Sequence, residues 1–205
     1  KTAIIFQDEK IIYLSLNKIV SNLSVSLFNF GIRRGDKIGL VLHNSLEFIY
    51  VMFAAAELGA AIIPLNTTLP PSVIIKNFSF TKVKFLIGWH TVLNKIFSNN
   101  KYKKLFNNKS ISVGAKIYNC TYFNDLLKEN KSNFILKNQS NLLNANYIIT
   151  LTSGSTGSPK PIILTQKTKL LRALLVKKLY KLSSEVLDVR GKNITLFLGK
   201  NMGIN

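Results

Sequence analysis

Apolar positions in the first half of the chain follow a helical spacing and then a continuous run. From Leu16 to Phe30 they recur every three or four residues, after Ser15 and before Gly31. Serine is a favoured residue at the start of a helix and glycine directly after its end. An unbroken apolar run follows at 38–42, which is typical of a strand buried on both faces. The pattern predicts a capped helix and then a core strand.

The next apolar stretch predicts a second helix and a second buried strand. Asn44 stands three residues before Glu47, the spacing of a capping box. Residues 48–58 are apolar on nearly every side, Gly59 ends the helix, and 60–65 form the next apolar run. Strand, helix and strand in this order predict a βαβ unit in a parallel sheet.

Weaker patterns complete an expected α/β fold, in which a parallel-rich sheet is flanked by helices. Short strands are predicted at 3–6, as an edge strand, and at 11–14, 83–87, 111–118 and 194–198. Helices are predicted from 71 to about 78 and at 93–97, 122–128 and 167–182. Two Asn-rich stretches, 99–110 and 130–146, are predicted as surface connections.

Apolar runs at 147–151 and 161–164 enclose a polar stretch, TSGSTGSPK, which covers residues 152–160. Gly154 and Gly157 allow positive φ and leave room for a ligand to approach the backbone. Successive N–H groups in such a turn form an anion-binding nest, and Lys160 adds a flexible point charge. Hydroxyl donors come from Thr152, Ser153, Ser155, Thr156 and Ser158. The stretch predicts a polyphosphate site, with an ordinary polar hairpin turn as the alternative.

The common nucleotide-binding loop is excluded by spacing. That loop needs Gly, four residues, and then Gly-Lys-Ser/Thr. Counting from Gly154, Pro159 stands where the second glycine belongs, and Pro161 follows Lys160. The predicted site is therefore of another kind.

The formal charge of +19 raises the alternative of a basic nucleic-acid-binding module. All but four of the 28 basic residues are lysines, and they are scattered among asparagines and isoleucines. Arginine is the residue favoured for bidentate phosphate and base recognition. We therefore interpret the charge as a compositional bias and expect no specific nucleic-acid binding. The 167–182 helix is amphipathic, and one of its faces is predicted to pack in the core through Leu170, Leu171, Leu174, Leu175 and Leu179. Its basic opposite face leaves peripheral membrane contact as a minor alternative.

Candidate metal and disulfide chemistry is sparse. Cys120 is the only cysteine, so no intramolecular disulfide can form, and it is interpreted as a small apolar residue. His43 and His90 are far apart in the sequence, and no metal site is predicted. No secretory signal pattern precedes the first apolar run, and a cytoplasmic location is expected.

Two stretches carry a family resemblance. TSGSTGSPK resembles the signature of the adenylate-forming enzymes, which include acyl-CoA synthetases, luciferases and peptide-synthetase adenylation domains. RRGDKIGLVLHNSLEFIYVMFAAAELGAAIIPLN, from Arg33, resembles their early conserved block. Two positions depart from the pattern, since Pro161 replaces the usual Gly and Gln166 a frequent His.

The resemblance implies that residues 1–205 are an incomplete N-terminal AMP-binding domain, with the similarity fading after about residue 184. The implied activity is ligation of a carboxylic acid, in which ATP and Mg²⁺ give an acyl-adenylate and coenzyme A then gives a thioester. Lys160 would be the catalytic residue, on the β- and γ-phosphates. The implied ATP-binding residues are Thr152, Ser153, Gly154, Ser155, Thr156, Gly157 and Lys160.

The resemblance implies a small carboxylic acid as substrate, with a role in fatty acid metabolism as one expectation. It also implies that the missing C-terminal part of the same enzyme is a partner, because adenine, ribose and acyl pockets are not recognisable here. We therefore expect the chain alone to be inactive. A non-catalytic truncated remnant is the remaining alternative.

Overall fold

The computed structural model describes residues 1–128, 142–152, 159–179, 188–189 and 192–193. Its strands are β1 (Thr2–Phe6), β2 (Glu9–Ile12), β3 (Lys37–Val41), β4 (Ala61–Pro64), β5 (Phe85–Trp89), β6 (Ser110–Val113), β7 (Thr121–Tyr122), β8 (Asn146–Thr152), β9 (Lys160–Thr165), β10 (Asp188–Val189) and β11 (Lys192–Asn193). Its α-helices are α1 (Tyr13–Asn29), α2 (Leu46–Leu58), α3 (Pro71–Thr81), α4 (His90–Phe97), α5 (Asn100–Leu105), α6 (Phe123–Leu126) and α7 (Gln166–Leu179). The predicted strand at 194–198 lies outside the described residues.

Seven strands form one sheet in the order β7-β6-β5-β3-β4-β8-β9. Strand β3 pairs in parallel with β4 on one side and β5 on the other, and β6 and β7 continue the parallel arrangement beyond β5. Strand β8 is parallel to β4, while β9 returns antiparallel to β8. The prediction of an α/β fold with a parallel-rich sheet is confirmed, and so is the βαβ unit formed by β3, α2 and β4.

The N-terminal strands do not join this sheet. β1 and β2 form a separate antiparallel pair, in which Phe6 lies opposite Glu9. The backbone N–H of Tyr13, the first residue of α1, donates to the carbonyl of Lys1 at 3.1 Å. The sequence predicted an edge strand at 3–6. These residues instead form one strand of a separate two-stranded hairpin.

The predicted N-caps of the two long helices are wrong. Helix α1 begins at Tyr13 without a side-chain cap, so Ser15 lies inside its first turn. Helix α2 begins after Ser45, whose hydroxyl accepts the N–H of Phe48 at 3.4 Å, and not after Asn44. A cap needs extended backbone directly before the first helical residue, and two adjacent polar residues make that position ambiguous in a sequence. The predicted helix ends at Gly31 and Gly59 are confirmed, with φ of 109° and 69°.

Helices cover both faces of the sheet, because its central strands are apolar on both. In β4, Ile62 belongs to a buried cluster with residues of α1 and α2. Its neighbours Ala61 and Ile63 belong to a second cluster, with residues of α3 and α4. Successive side chains of a strand point to opposite faces, so these clusters lie on opposite sides of the sheet. No helix among the described residues is long and apolar enough to span a membrane.

One predicted loop contains a helix. Residues 100–105 form α5, and the side chain of Asn99 accepts the N–H of Lys101 at 2.9 Å. Phe106 follows and is 4% exposed, so it anchors this segment in the core. The stretch is rich in Lys and Asn and has no apolar period, so its sequence did not predict the short helix.

Candidate functional site

Strands β8 and β9 flank TSGSTGSPK and pair with each other in an antiparallel hairpin. Their register places Ile149 opposite Ile163 and ends with Thr152 opposite Lys160. The hydroxyl of Thr152 donates to the carbonyl of Lys160 at 3.3 Å. The two ends of the predicted phosphate loop are therefore side by side. Five of the predicted ATP-binding residues lie outside the described part of the chain: Ser153, Gly154, Ser155, Thr156 and Gly157.

The hairpin opens at the carboxyl edge of the sheet. Ile148 of β8 pairs in parallel with Ile62 of β4, so Thr152 lies at the same edge as the ends of β3, β4 and β5. In open α/β sheets, ligands bind outside the carboxyl ends of the strands. The predicted polyphosphate loop thus begins at the edge of the sheet where a ligand site is expected.

Four side chains form a carboxyl-edge cluster beyond β3, β4 and β5: His43, Thr67, Trp89 and His90. His43 Nδ1 and Thr67 Oγ1 are 3.2 Å apart. The ring centroids of His43 and Trp89 are 5.8 Å apart in an edge-on arrangement, and those of Trp89 and His90 are 5.6 Å apart. His90 Nδ1 donates to the Val113 carbonyl at 3.3 Å. The cluster gives this edge a polar and aromatic surface.

Sequence reasoning missed this cluster because it judged His43 and His90 by their separation along the chain. The available signal was that each residue follows a predicted strand, and parallel strands end at one edge.

Within the described residues, no group of three or more His, Cys, Asp and Glu side chains could hold a metal ion. Cys120 is half-buried, and burial raises the pKa of its thiol to about 11. That thiol therefore stays protonated at neutral pH.

Pro161 lies within β9, opposite Leu151, and not in the loop itself. A proline has no N–H to donate. It therefore fits in a strand where the backbone N–H at that position would point away from the neighbouring strand. The N–H of Gln166, five residues on, donates toward the β8 side, to Ala145 at 3.0 Å. Even-numbered N–H groups of this segment therefore face β8 and odd-numbered ones face away. Pro161 removes an outward donor and leaves the hairpin ladder intact.

Gln166 joins the base of the hairpin to helix α2. Its side-chain Nε2 donates to the carbonyl of Ala56 at 2.8 Å, near the end of that helix. The Thr165 hydroxyl accepts the N–H of Thr168 at 3.2 Å, which caps the first turn of α7. An amide thus occupies the position where the resembled family often has His, and it serves as a structural tether.

Replacing Gln166 by Ala is expected to lower the free energy of unfolding by about 1 kcal/mol, because one hydrogen bond between the hairpin and α2 is lost, although the Ala56 carbonyl keeps the Gly59 N–H as a donor. Urea unfolding of the chain measures this loss, and hydrogen exchange should show faster exchange in β9. The exposed neighbour Lys167, changed to Ala, is the control and should stay within about 0.5 kcal/mol of the parent. Equal stability of both variants would contradict the tether.

The charged residues of β9 and α7 are all basic. Residues 159–179 contain six Lys or Arg and no Asp or Glu. Partial burial, and then the nearby Arg172, lower the pKa of Lys169. Burial raises the pKa of Tyr147 on β8, so its phenol stays neutral. Such a segment favours an anionic ligand or partner.

The leucines of α7 were predicted to form one core face, and that prediction is largely wrong. Leu170 is 9% exposed, and Ala173 is buried with it. The other four leucines of the predicted face are exposed by 40% to 67%: Leu171, Leu174, Leu175 and Leu179. The helix therefore has an inner apolar stripe against its own domain and an outer one that faces solvent.

Solved structures share this arrangement of strands and helices. An anthranilate CoA ligase in complex with anthranoyl-AMP has a TM-score of 0.76 and 23% identity, covering 93% of this chain and 35% of that one. A putative long-chain-fatty-acid CoA ligase from Rhodopseudomonas palustris has a TM-score of 0.77 and 17% identity, covering 91% and 46%. The fold is thus that of part of the N-terminal domain of acyl-CoA ligases.

Sequence comparison gives the family. The chain is 27% identical over 165 residues to 2-succinylbenzoate–CoA ligase of Bacillus cereus, and 26% identical over 161 residues to a 4-coumarate–CoA ligase of Humulus lupulus. These alignments cover 80% and 78% of the chain, which spans only 30% and 29% of the two relatives. The model of the AMP-binding enzyme family matches residues 1–190, and the chain belongs to that family.

Proposed function

We propose that this chain carries the ATP phosphate-binding part of an adenylate-forming acid–thiol ligase. In the proposed reaction, a carboxylate oxygen attacks the α-phosphorus of ATP. The bond from that phosphorus to its bridging oxygen breaks, and pyrophosphate leaves. The thiol of coenzyme A then attacks the acyl carbon, and AMP leaves. One observation carries the proposal: in a member of this family, TSGSTGSPK joins the paired ends of β8 and β9 at the carboxyl edge of the sheet.

In this proposal the loop stabilises charge that moves between phosphate oxygens. Preorganised donors and cations contribute most where charge develops in the transition state. Lys160 is exposed at the start of β9 and takes the β- and γ-phosphates. Hydroxyl donors are Thr152, Ser153, Ser155 and Thr156, and Gly154 and Gly157 let the backbone approach the phosphates.

Magnesium fits this scheme as a companion of ATP. Mg²⁺ is usually held by substrate phosphates, waters and one or two carboxylates, and not by a cage of protein ligands. Its protein ligands are proposed to lie mostly outside this segment. The ion would neutralise phosphate charge during the attack.

The proposed substrate is a small carboxylic acid, and the proposed location is the cytoplasm. The similar proteins are named for 2-succinylbenzoate, 4-coumarate, anthranilate and long-chain fatty acids. Aromatic and fatty acids are therefore the classes to test first, and fatty acid metabolism is one candidate setting.

The decisive experiment compares the chain alone with the chain joined to the remaining polypeptide of an acyl-CoA ligase. Purified residues 1–205 with ATP, Mg²⁺ and a panel of fatty and aromatic acids should form acyl-AMP far more slowly than about 1 s⁻¹. ATP should bind weakly, with a Kd of about 1 mM, because a phosphate loop alone leaves adenine and ribose in water. The joined polypeptide should form acyl-AMP from at least one acid.

Two results would contradict this proposal. Turnover of the chain alone at about 1 s⁻¹ or faster would show that the pockets for adenine and the acyl group are already complete. A joined polypeptide that folds but neither binds ATP nor releases pyrophosphate would show that the loop has another role.

A further inference from the structure

A groove with a volume of about 410 Å³ lies near the β6–β7 end of the sheet. This α4–α5 groove is lined by the end of α4, by α5 and by the loop 114–120, which joins β6 to β7. The strand order β7-β6-β5-β3-β4-β8-β9 places it at the opposite end of the sheet from the hairpin that flanks TSGSTGSPK. Small-molecule sites have volumes of about 300–1000 Å³, so the groove has room for one small ligand.

Apolar side chains that the core holds in place form part of the groove. Phe97 follows from α4 and Ile117 lies in the loop, and both line the groove. Both are half-buried and pack against the buried cluster that contains Ile96 and Phe106. Tyr118 adds an aromatic ring that is 81% exposed. A flat apolar ligand would therefore remove a large aromatic side chain from water at this site.

Lysine side chains give the groove a positive charge. Lys103 and Lys116 both line it, and Lys103 Nζ is 5.6 Å from the ring centroid of Tyr118. This cation–π contact keeps the ammonium group of Lys103 at the groove. Residues 90–124 contain six lysines and no Asp or Glu. Lys116 also lies 3.9 Å from a carboxylate oxygen of Asp125, but water screens this exposed pair and the groove stays positive.

These two kinds of side chain define the chemistry of the occupant. An inorganic anion would meet the lysines but would leave Phe97 and Ile117 uncovered. A neutral aromatic molecule would cover the apolar side chains but would bring no charge to the lysines. A molecule that joins a flat ring to a carboxylate or a phosphate does both, and the side-chain amide of Asn94, which also lines the groove, can donate to the anion.

We infer that the α4–α5 groove binds a small molecule in which a planar aromatic ring carries an anionic group. The ring packs against Phe97, Ile117 and Tyr118, and the anion meets Lys103 and Lys116. Aromatic carboxylates and nucleoside monophosphates share this chemistry. The inference goes beyond the proposed function and does not rest on it, because it is argued only from residues at the β6–β7 end of the sheet.

The test titrates the full isotope-labelled chain with benzoate, AMP, adenosine and inorganic phosphate and follows the backbone amides by NMR. Benzoate or AMP, or both, should shift the amides of 94–98, 103 and 116–118 with a Kd of about 1 mM, which is expected for an open groove. A response to benzoate alone identifies an aromatic carboxylate, and a response to AMP alone identifies a nucleotide. Adenosine and phosphate each have half of the required features and should bind at least about fivefold more weakly.

Two pairs of variants separate the ring from the charge. Tyr118→Ala should weaken binding of the aromatic anion by at least about fivefold, whereas Tyr118→Phe keeps the ring and should bind like the parent. Lys103→Gln should weaken binding by a similar factor, because the anion loses a cation. Lys104→Gln is the matched control, since Lys104 is an exposed neighbour on α5 outside the groove lining, and it should bind normally. Circular dichroism checks that each variant is folded.

Three results would overturn the inference. The first is that neither aromatic anion shifts these amides at about ten times the expected Kd, or that the shifts occur only elsewhere. The second is that phosphate or adenosine binds as tightly as the aromatic anions, which would indicate general attraction by charge or by apolar surface. The third is that Tyr118→Ala binds like Tyr118→Phe, or Lys103→Gln like Lys104→Gln. Because Tyr118 is exposed, the tyrosine pair decides the question even if Lys103→Gln fails to fold.

Discussion

Lys160→Ala is expected to lower acyl-adenylate formation by about ten- to a thousandfold, the range for losing one preorganised transition-state contact. The test uses the chain joined to the remaining ligase polypeptide, and pyrophosphate exchange measures the step directly. The lysine is exposed at the mouth of the β8–β9 hairpin, so its loss should leave stability unchanged. A fall in kcat with little change in the ATP KM would indicate a contact made mainly in the transition state.

Lys167→Ala supplies the matched control for that measurement. It removes an exposed lysine from the same segment, in the first turn of α7, and should leave exchange within about twofold, the usual size of a surface effect. Equal rates of pyrophosphate exchange in Lys160→Ala and Lys167→Ala would contradict a specific contact between Lys160 and phosphate. The lysines of this segment would then act only through their general positive charge.

The largest expected loss of stability comes from the contact between Phe78 and Gly39. Phe78 on α3 is 1% exposed, and its ring lies over Gly39 of β3. Phe78→Ala should cost about 3–5 kcal/mol, since the ring leaves a cavity beside the central strand. Urea unfolding monitored by circular dichroism gives the value. Phe80→Ala, on the same helix but exposed, should change stability by less than about 0.5 kcal/mol.

A larger side chain in place of Gly39 tests the same contact from the side of the strand. A Cβ at Gly39 would lie 2.8–2.9 Å from three atoms of the Phe78 ring, so Gly39→Val should cost about 1–3 kcal/mol by overpacking. The double variant should lose less than the sum of the two, because the valine then fills part of the space left by Phe78. Strict additivity would mean that the two residues do not share one packing site.

The parallel part of the fold could be predicted because each element carries its own signal. The run at 38–42 has no polar face, and Gly59 ends α2 in the left-handed conformation that glycine allows. Two features are not decided locally. The separation of the β1–β2 hairpin from the main sheet depends on tertiary packing, and the burial of α7 depends on what lies opposite it. A leucine stripe shows that a face is apolar but not which polypeptide covers it.

The candidate site was only partly predictable, for a similar reason. TSGSTGSPK identifies a loop, since its glycines and hydroxyls are contiguous in the sequence. His43 and His90 meet around Trp89 only because β3 and β5 are adjacent in the sheet, although β4 separates them in the chain. Gln166 could be identified as a departure from a family pattern. Its bond to Ala56 required the position of α2.

The order in which the strands of the sheet occur along the chain has a consequence for biosynthesis. Strands β3, β4 and β5 all precede residue 90 and pair over four residues at each interface, whereas β8 and β9 begin after residue 145. Both buried clusters are built almost wholly from residues that precede 129. A nascent chain folds from its N-terminus as it leaves the ribosome. The strands and helices that precede residue 129 can therefore pack together while the β8–β9 hairpin is still in the exit tunnel. The proposed phosphate loop is then added afterwards, to a scaffold that already holds its neighbouring strand ends in place.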